Sequence, residues 1–206
     1  DAVLAFGAML HWWLIDDIFK PDEYGSNILV GMSAVPHFNR WMADTIRPHV
    51  EARVLEGGAG IGNLTRTLLP RDYYSVSDIN PHYLDYLRNF ADGKPYMDVR
   101  RVDLTCRDDF TPLAGHYDTI ICLNVLEHVE DEAAALQNIR LALEPEGRAI
   151  ILVPQNPLMY GTLDEVLDHK RRYTSEGFRA TVEAQGFQVE RMIDFNRATT
   201  PAWRLN

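Results

Sequence analysis

The chain has 206 residues, 46% hydrophobic and 24% charged, a length and balance that suit one globular domain and exclude a disordered tail. Thirty acidic against twenty basic residues leave a net charge of −10, which opposes any surface that tracks nucleic-acid phosphates. Two cysteines, Cys106 and Cys122, make neither a metal spacing nor a disulfide framework, and their usage fits a reducing, cytoplasmic setting.

Residues 2–15 are almost wholly apolar but too few to cross a bilayer, and no basic run precedes them. A buried or capping helix is expected there. A membrane-surface or dimer-forming helix is the alternative, carried by Trp12 and Trp13. The start at Asp1, without methionine, is what a fragment or excised domain would show. Residues 16–31, with Pro21, Gly25, Asn27 and Gly31, read as a loop. Residues 36–46 read as a helix, with Ser33 placed to cap it and Pro48 to stop it.

A strand over 53–56 then enters Glu56-Gly57-Gly58-Ala59-Gly60-Ile61-Gly62-Asn63, four glycines within six residues, followed by a helix over 62–69. This is the grammar of a strand, a tight turn and a helix start that meet a ligand. The dinucleotide pattern G-x-G-x-x-G fails in both frames: Asn63 stands where one needs glycine and Ala59 where the other does. What fits is E-x-G-x-G-x-G over Glu56, Gly58, Gly60 and Gly62.

A second strand over 73–77 ends at Asp78, and Asn80-Pro81 opens a helix marked by Tyr83, Leu84, Leu87 and Phe90. A third strand over 96–102 ends at Asp103, and 108–115 is turn-rich. The apolar run 117–123 reads as a central parallel strand. An amphipathic helix over 131–143, a Pro145-Glu146-Gly147 turn, a fifth strand over 148–153, a helix over 174–185 and a sixth strand over 187–195 complete the series. Strict alternation argues a Rossmann-like, doubly wound, mostly parallel α/β sheet in a single domain, 1–206, with a helical cap over 1–50 and the core over 51–206.

In such a sheet, ligands sit beyond the carboxyl ends of the strands, where Glu56, Asp78, Asp103 and Asn124 fall. Asp78 could accept two hydrogen bonds from a ribose diol. Its alternative role, capping the next helix, is already filled by Asn80. Asp103 could accept from an adenine amine, with Leu104 over the base, or be a solvated turn acid.

The glycine pattern resembles the first motif of class I S-adenosylmethionine (SAM) methyltransferases. Residues 117–154, with Leu126-Glu127-His128-Val129 and the Pro145–Gly147 turn, resemble the same family's fourth to fifth strands. Asp164-Glu165-Val166-Leu167-Asp168-His169-Lys170-Arg171-Arg172-Tyr173-Thr174 is similar to the D-x-x-x-x-H-x-R-R-Y-T segment of modules found beside, or fused to, family 2 glycosyltransferases. The resemblance implies SAM as cofactor, held by Glu56, Gly58, Gly60, Gly62, Asp78, Ile79, Asp103, Leu104 and Asn124. It implies methyl transfer to a small-molecule acceptor such as a saccharide, with a glycosyltransferase as partner. Two departures stand out. Gly57 occupies a place usually held by Ile, Val or Leu, and no seventh strand follows the sixth.

SAM carries the reactive sulfonium, so the protein must align the acceptor and remove its proton. His128 and His169 are the candidate bases. His128 could instead cap or pack, and His169 could contact substrate. Tyr160, His169, Arg172 and Tyr173 are candidate substrate contacts, although the basic run could also be a solvated turn. Glu127-His128 resembles metal-assisted methyltransferases with E-x-x-E-H before a later histidine, but the first acid is here Asn124, so no metal is expected. Two other readings remain: a SAM-binding module without turnover, and a nicotinamide oxidoreductase.

Overall fold

The computed structural model describes residues 36–194, and the apolar stretch 2–15 with its proposed dimer role, the 16–31 loop and Ser33 lie outside them. Five strands form one all-parallel sheet in the order β3-β2-β1-β4-β5. They are β1 (Arg53–Gly57), β2 (Tyr73–Asp78), β3 (Met97–Arg101), β4 (Tyr117–Leu123) and β5 (Leu143–Leu152). The helices are α1 (Pro36–Ile46), α2 (Thr65–Leu68), α3 (Pro81–Ala91), α4 (Arg107–Phe110), α5 (Glu132–Ala142), α6 (Thr162–Val166) and α7 (Ser175–Ala184). Among the described residues no helix is long and apolar enough to cross a membrane.

Both faces of the sheet are covered, which is why its central strands are apolar without alternation. Leu55, Ile120 and Cys122 point to one face and pack with Phe110 of α4, Leu136 and Ile139 of α5 and Val182 of α7. Val54, Val76 and Ile121 point to the other and pack with Met42 and Ala43 of α1, Leu68 of α2 and Leu87 of α3. Neighbouring residues thus serve opposite cores, as the pleat requires. The order reverses between β1 and β4, whose registers pair Val54 with Thr119 and Gly57 with Cys122. Asp118 fastens this junction from below: its Oδ2 accepts the backbone N–H groups of Ala52 (3.1 Å) and Arg53 (2.7 Å).

The fold class matches expectation, and β4 has the expected bounds. Three expected elements differ, and the short helices α4 and α6 fall where the sequence marks none. The helix after the glycine turn is only one turn long, Thr65–Leu68, because Pro70 biases the residue before it away from helix. β5 starts five residues early, at Leu143, so the expected Pro145–Gly147 turn is absorbed as an irregularity, with Glu146 at φ 66° and a register shift against β4. The expected sixth strand does not form over 187–194. Phe187 and Val189 pack against the core, but Met192 and Ile193 are 40% and 49% exposed and no ladder to β5 exists. An edge segment with so few buried side chains has little to fix its register. Residue 195 lies outside the described residues.

Candidate active site

A cavity of about 2000 Å³ runs from the carboxyl ends of the strands, at the switch point between β1 and β4, along the flank of β5 to residues 186–194. One wall is made by the glycine turn. Gly58 has φ 67°, and a Cβ there would lie 2.3 Å from Val125 Cγ2, so only glycine lets this turn pass the loop after β4. Gly60 is also in the left-handed region and lines the cavity. Gly62, at φ 77°, bends the chain into α2 but is not on the cavity wall; a Cβ there would press Leu87 Cδ2 at 3.1 Å. Gly57 has a reason as well. Its missing Cβ makes room for Leu104 Cδ2, which would otherwise be 3.3 Å away.

The turn is tied to the end of β2. The Ala59 N–H donates to the Ser77 carbonyl (2.9 Å), and the Gly60 N–H donates to Asp78 Oδ2 (2.9 Å). Asp78 Oδ1 accepts the Asn80 N–H (2.9 Å), while Asn80 caps α3 through His82 N–H, so the two roles are divided as expected. Burial raises the Asp78 carboxyl, and the N–H groups of Asn80 and Gly60 hold it partly down. Each oxygen keeps acceptor capacity for a diol at the cavity. Ile79, 59% exposed, projects beside it on the wall.

Glu56 lines the same wall but its carboxylate is spoken for. Oε2 accepts from Thr65 Oγ1 (2.7 Å) and Tyr74 Oη (2.8 Å), and burial lifts the acid to about 7 in spite of both. It braces the turn from behind. Asp103 lies across the opening, its Oδ1 accepting from the Thr105 hydroxyl (2.7 Å) and N–H (2.9 Å), which hold the acid below its usual range. Leu104 is buried, lines the cavity and is fixed by its carbonyl, which accepts from Asn138 Nδ2 (2.9 Å). Asn124 ends β4 at φ 54°, an uncommon conformation for a non-glycine residue.

The same cavity is also lined by Glu127, His128 and His169. The two imidazoles meet edge to face with centroids 4.8 Å apart. His169 Nδ1 lies 2.8 Å from Asp164 Oδ1, and the His128 ring bonds the Asp168 backbone. Burial is the first cause that lowers both imidazoles, so each is neutral near pH 7; Asp164 opposes the shift on His169. Burial also lifts Glu127 to about 7.

Asp164 organises this cluster, and sequence reasoning passed over it although it is the first acid of D-x-x-x-x-H-x-R-R-Y-T. It is 1% exposed and also accepts from Arg172 Nε (2.7 Å) and the Gly161 N–H (3.0 Å). Burial works against its charge, but Arg172 and His169 keep its carboxyl below the usual range. Only the buried spacing could have flagged it: an acid followed five residues later by a histidine on a tight turn. Arg172 is consequently spent on Asp164 and on the Gln155 carbonyl. Tyr173 is buried, donates to Glu132 Oε2 (2.6 Å) and packs on Phe178. Tyr160 does not reach the cavity wall; its hydroxyl donates to the His169 carbonyl (2.7 Å). Of the four expected substrate contacts, His169, Arg172 and Tyr173 line the cavity, and His169 keeps a ring nitrogen beyond its bond to Asp164.

Residues 55–149 match a protein family described as a methyltransferase domain. The ubiquinone biosynthesis O-methyltransferase of Aeromonas salmonicida is 24% identical over 151 residues, which cover 72% of this chain and 59% of that one. Methyltransferase calH of Penicillium decumbens is 32% identical over 131 residues, covering 57% and 34%. The chain therefore spans about three-fifths of the first of these curated relatives and about one-third of the second. Among solved structures, an S-adenosylmethionine-dependent methyltransferase from Mesorhizobium loti superposes with a TM-score of 0.61 at 17% identity, covering 79% of this chain and 89% of its own.

Proposed function

We propose that this chain, which carries a methyltransferase domain in the Rossmann-like class I fold, binds SAM and transfers its methyl group to a small-molecule acceptor. The observation that carries this reading is one cavity lined both by the glycine turn with Asp78 and by two neutral imidazoles. Asp78 and the Gly58–Gly60 backbone would hold the ribose and methionine parts of the cofactor, while Asp103, Ile79 and Leu104 would flank the base. Gly62 and Glu56 support the turn without touching the ligand.

SAM brings an electrophilic methyl on sulfonium. The remaining work is to place the acceptor in line and to receive its proton. His128 and His169 are suited to the second task because each is neutral and offers a lone pair. An acceptor with an ionisable hydroxyl fits this part of the cavity. A saccharide or glycan-linked acceptor, and a glycosyltransferase as partner, follow from the resemblance of the 164–174 segment.

Calorimetry with S-adenosylhomocysteine and NAD, followed by labelled methyl transfer to a panel of phenols, β-keto thioesters and saccharides, tests the reading. S-adenosylhomocysteine should bind and NAD should not. Asp78→Ala should weaken S-adenosylhomocysteine by about 1–3 kcal/mol, roughly 5- to 150-fold, through lost hydrogen bonds. Unchanged affinity in that variant would remove Asp78 from the site, and cofactor binding without transfer to any acceptor would favour a module without turnover.

A further inference from the structure

We propose that Glu127, His128 and His169 form a binding site for one divalent transition-metal cation in the cavity. One ligand atom from each lies within 4.8 Å of the other two. An ion about 2.1 Å from each donor needs them within about 4.2 Å of one another, a gap that small side-chain turns can close.

Three independent features support a cation here. Glu127 is 1% exposed, yet its Oε2 has no hydrogen-bond partner. A buried carboxylate oxygen without a donor has lost water and gained nothing in return, so a positive ligand would relieve a standing penalty. His169 engages Asp164 through Nδ1, which leaves Nε2 as a lone-pair donor. That carboxylate–imidazole pairing also orients histidine ligands in metal sites. His128, with its ring bonded to the Asp168 backbone, keeps a second nitrogen for the ion. Two imidazoles and one carboxylate suit zinc, manganese, iron or cobalt better than magnesium or calcium, which prefer oxygen.

The sequence argued against a metal because Asn124 replaces the first acid of E-x-x-E-H. The fold supplies instead a nitrogen from the segment after α6, brought against His128 by chain reversal. With the ion bound, the lone pairs of His128 and His169 serve it instead of taking the acceptor's proton, and an acceptor hydroxyl coordinated at a position open to the cavity would lose its proton more readily.

The site rests on three side chains and not on the methyl-transfer reading. The test is calorimetric titration of the chelator-treated chain with Co²⁺ and Zn²⁺ alone, with S-adenosylhomocysteine binding measured in parallel. We expect one saturable site, weakened at least tenfold by Glu127→Gln and by His169→Ala and about 10- to 100-fold by Asp164→Asn, while His116→Ala binds like the parent. Co²⁺ bound at this site should show visible absorption bands that Glu127→Gln removes. No saturable binding, or a Kd that Glu127→Gln leaves within twofold, overturns the site. Circular dichroism shows whether His169→Ala is folded; if it is not, the affinity of Glu127→Gln alone decides. Metal failure with S-adenosylhomocysteine retained sinks this proposal only, and the reverse sinks the cofactor reading only.

Discussion

The chemistry of single residues is set by what burial takes away and what neighbours return. Glu56 shows it most clearly. Folded, it holds its proton up to about pH 7; unfolded, it releases it near 4.5. Between those values the folded chain binds the extra proton, so stability falls as pH rises through the window, by up to about 3 kcal/mol from this group. Glu56→Gln, which keeps the shape and stays neutral, should therefore gain stability relative to the parent as pH goes from 5 to 8, read by urea denaturation at each pH. A constant difference between the two proteins would show that Glu56 is charged throughout. Asp164 shifts in the opposite direction, since Arg172 and His169 favour its ionised form. Two buried acids in one fold thus follow opposite rules.

At the scale of elements, the segment that begins at α6 and ends before α7 has little apolar surface of its own and is held by a polar hub. Asp164 receives Arg172, His169 and the Gly161 N–H, and the Lys170 N–H reaches the Glu127 carbonyl (2.7 Å). Removing one partner of a buried pair leaves the other uncompensated, at a cost of roughly 3–5 kcal/mol. In Asp164→Ala we expect that cost to appear locally. Amide hydrogen exchange should accelerate over 161–173, while amides of β1 and β4 keep their protection. Uniform acceleration across the sheet would show that the segment is not a separate cooperative unit.

For the whole molecule, the glycine turn, β2 and the loop after β4 all meet at the cavity, so a ligand bound there ties the two halves of the sheet together. S-adenosylhomocysteine at about one hundred times its Kd should add about 2.7 kcal/mol to unfolding. For a chain of this length that is about 5–11 °C in Tm, measured by scanning calorimetry. NAD at the same concentration should leave Tm unchanged, and an equal shift with NAD would mean that the cavity does not discriminate by the glycine spacing.

The sequence by itself determined the alternation of strands and helices, the parallel sheet and the tight glycine turn after β1, because each is written in local spacing. β4 is an apolar run, Asn80-Pro81 is a helix start, and glycines at alternate positions are a turn that side chains could not follow. Tertiary structure alone decided the surroundings of His128 and His169. Asp164 reads in sequence as one acid among several; its depth, and its hold on His169 and Arg172, exist only once the segment after β5 folds back against the strand-four loop. The same folding explains Gly57 by the room Leu104 needs, spends Tyr160, Arg172 and Tyr173 on internal bonds, and denies residues 187–194 a ladder. Spacing along a chain records what neighbours in sequence must do. Which distant side chain consumes a hydrogen bond or fills a gap is settled only by packing in three dimensions.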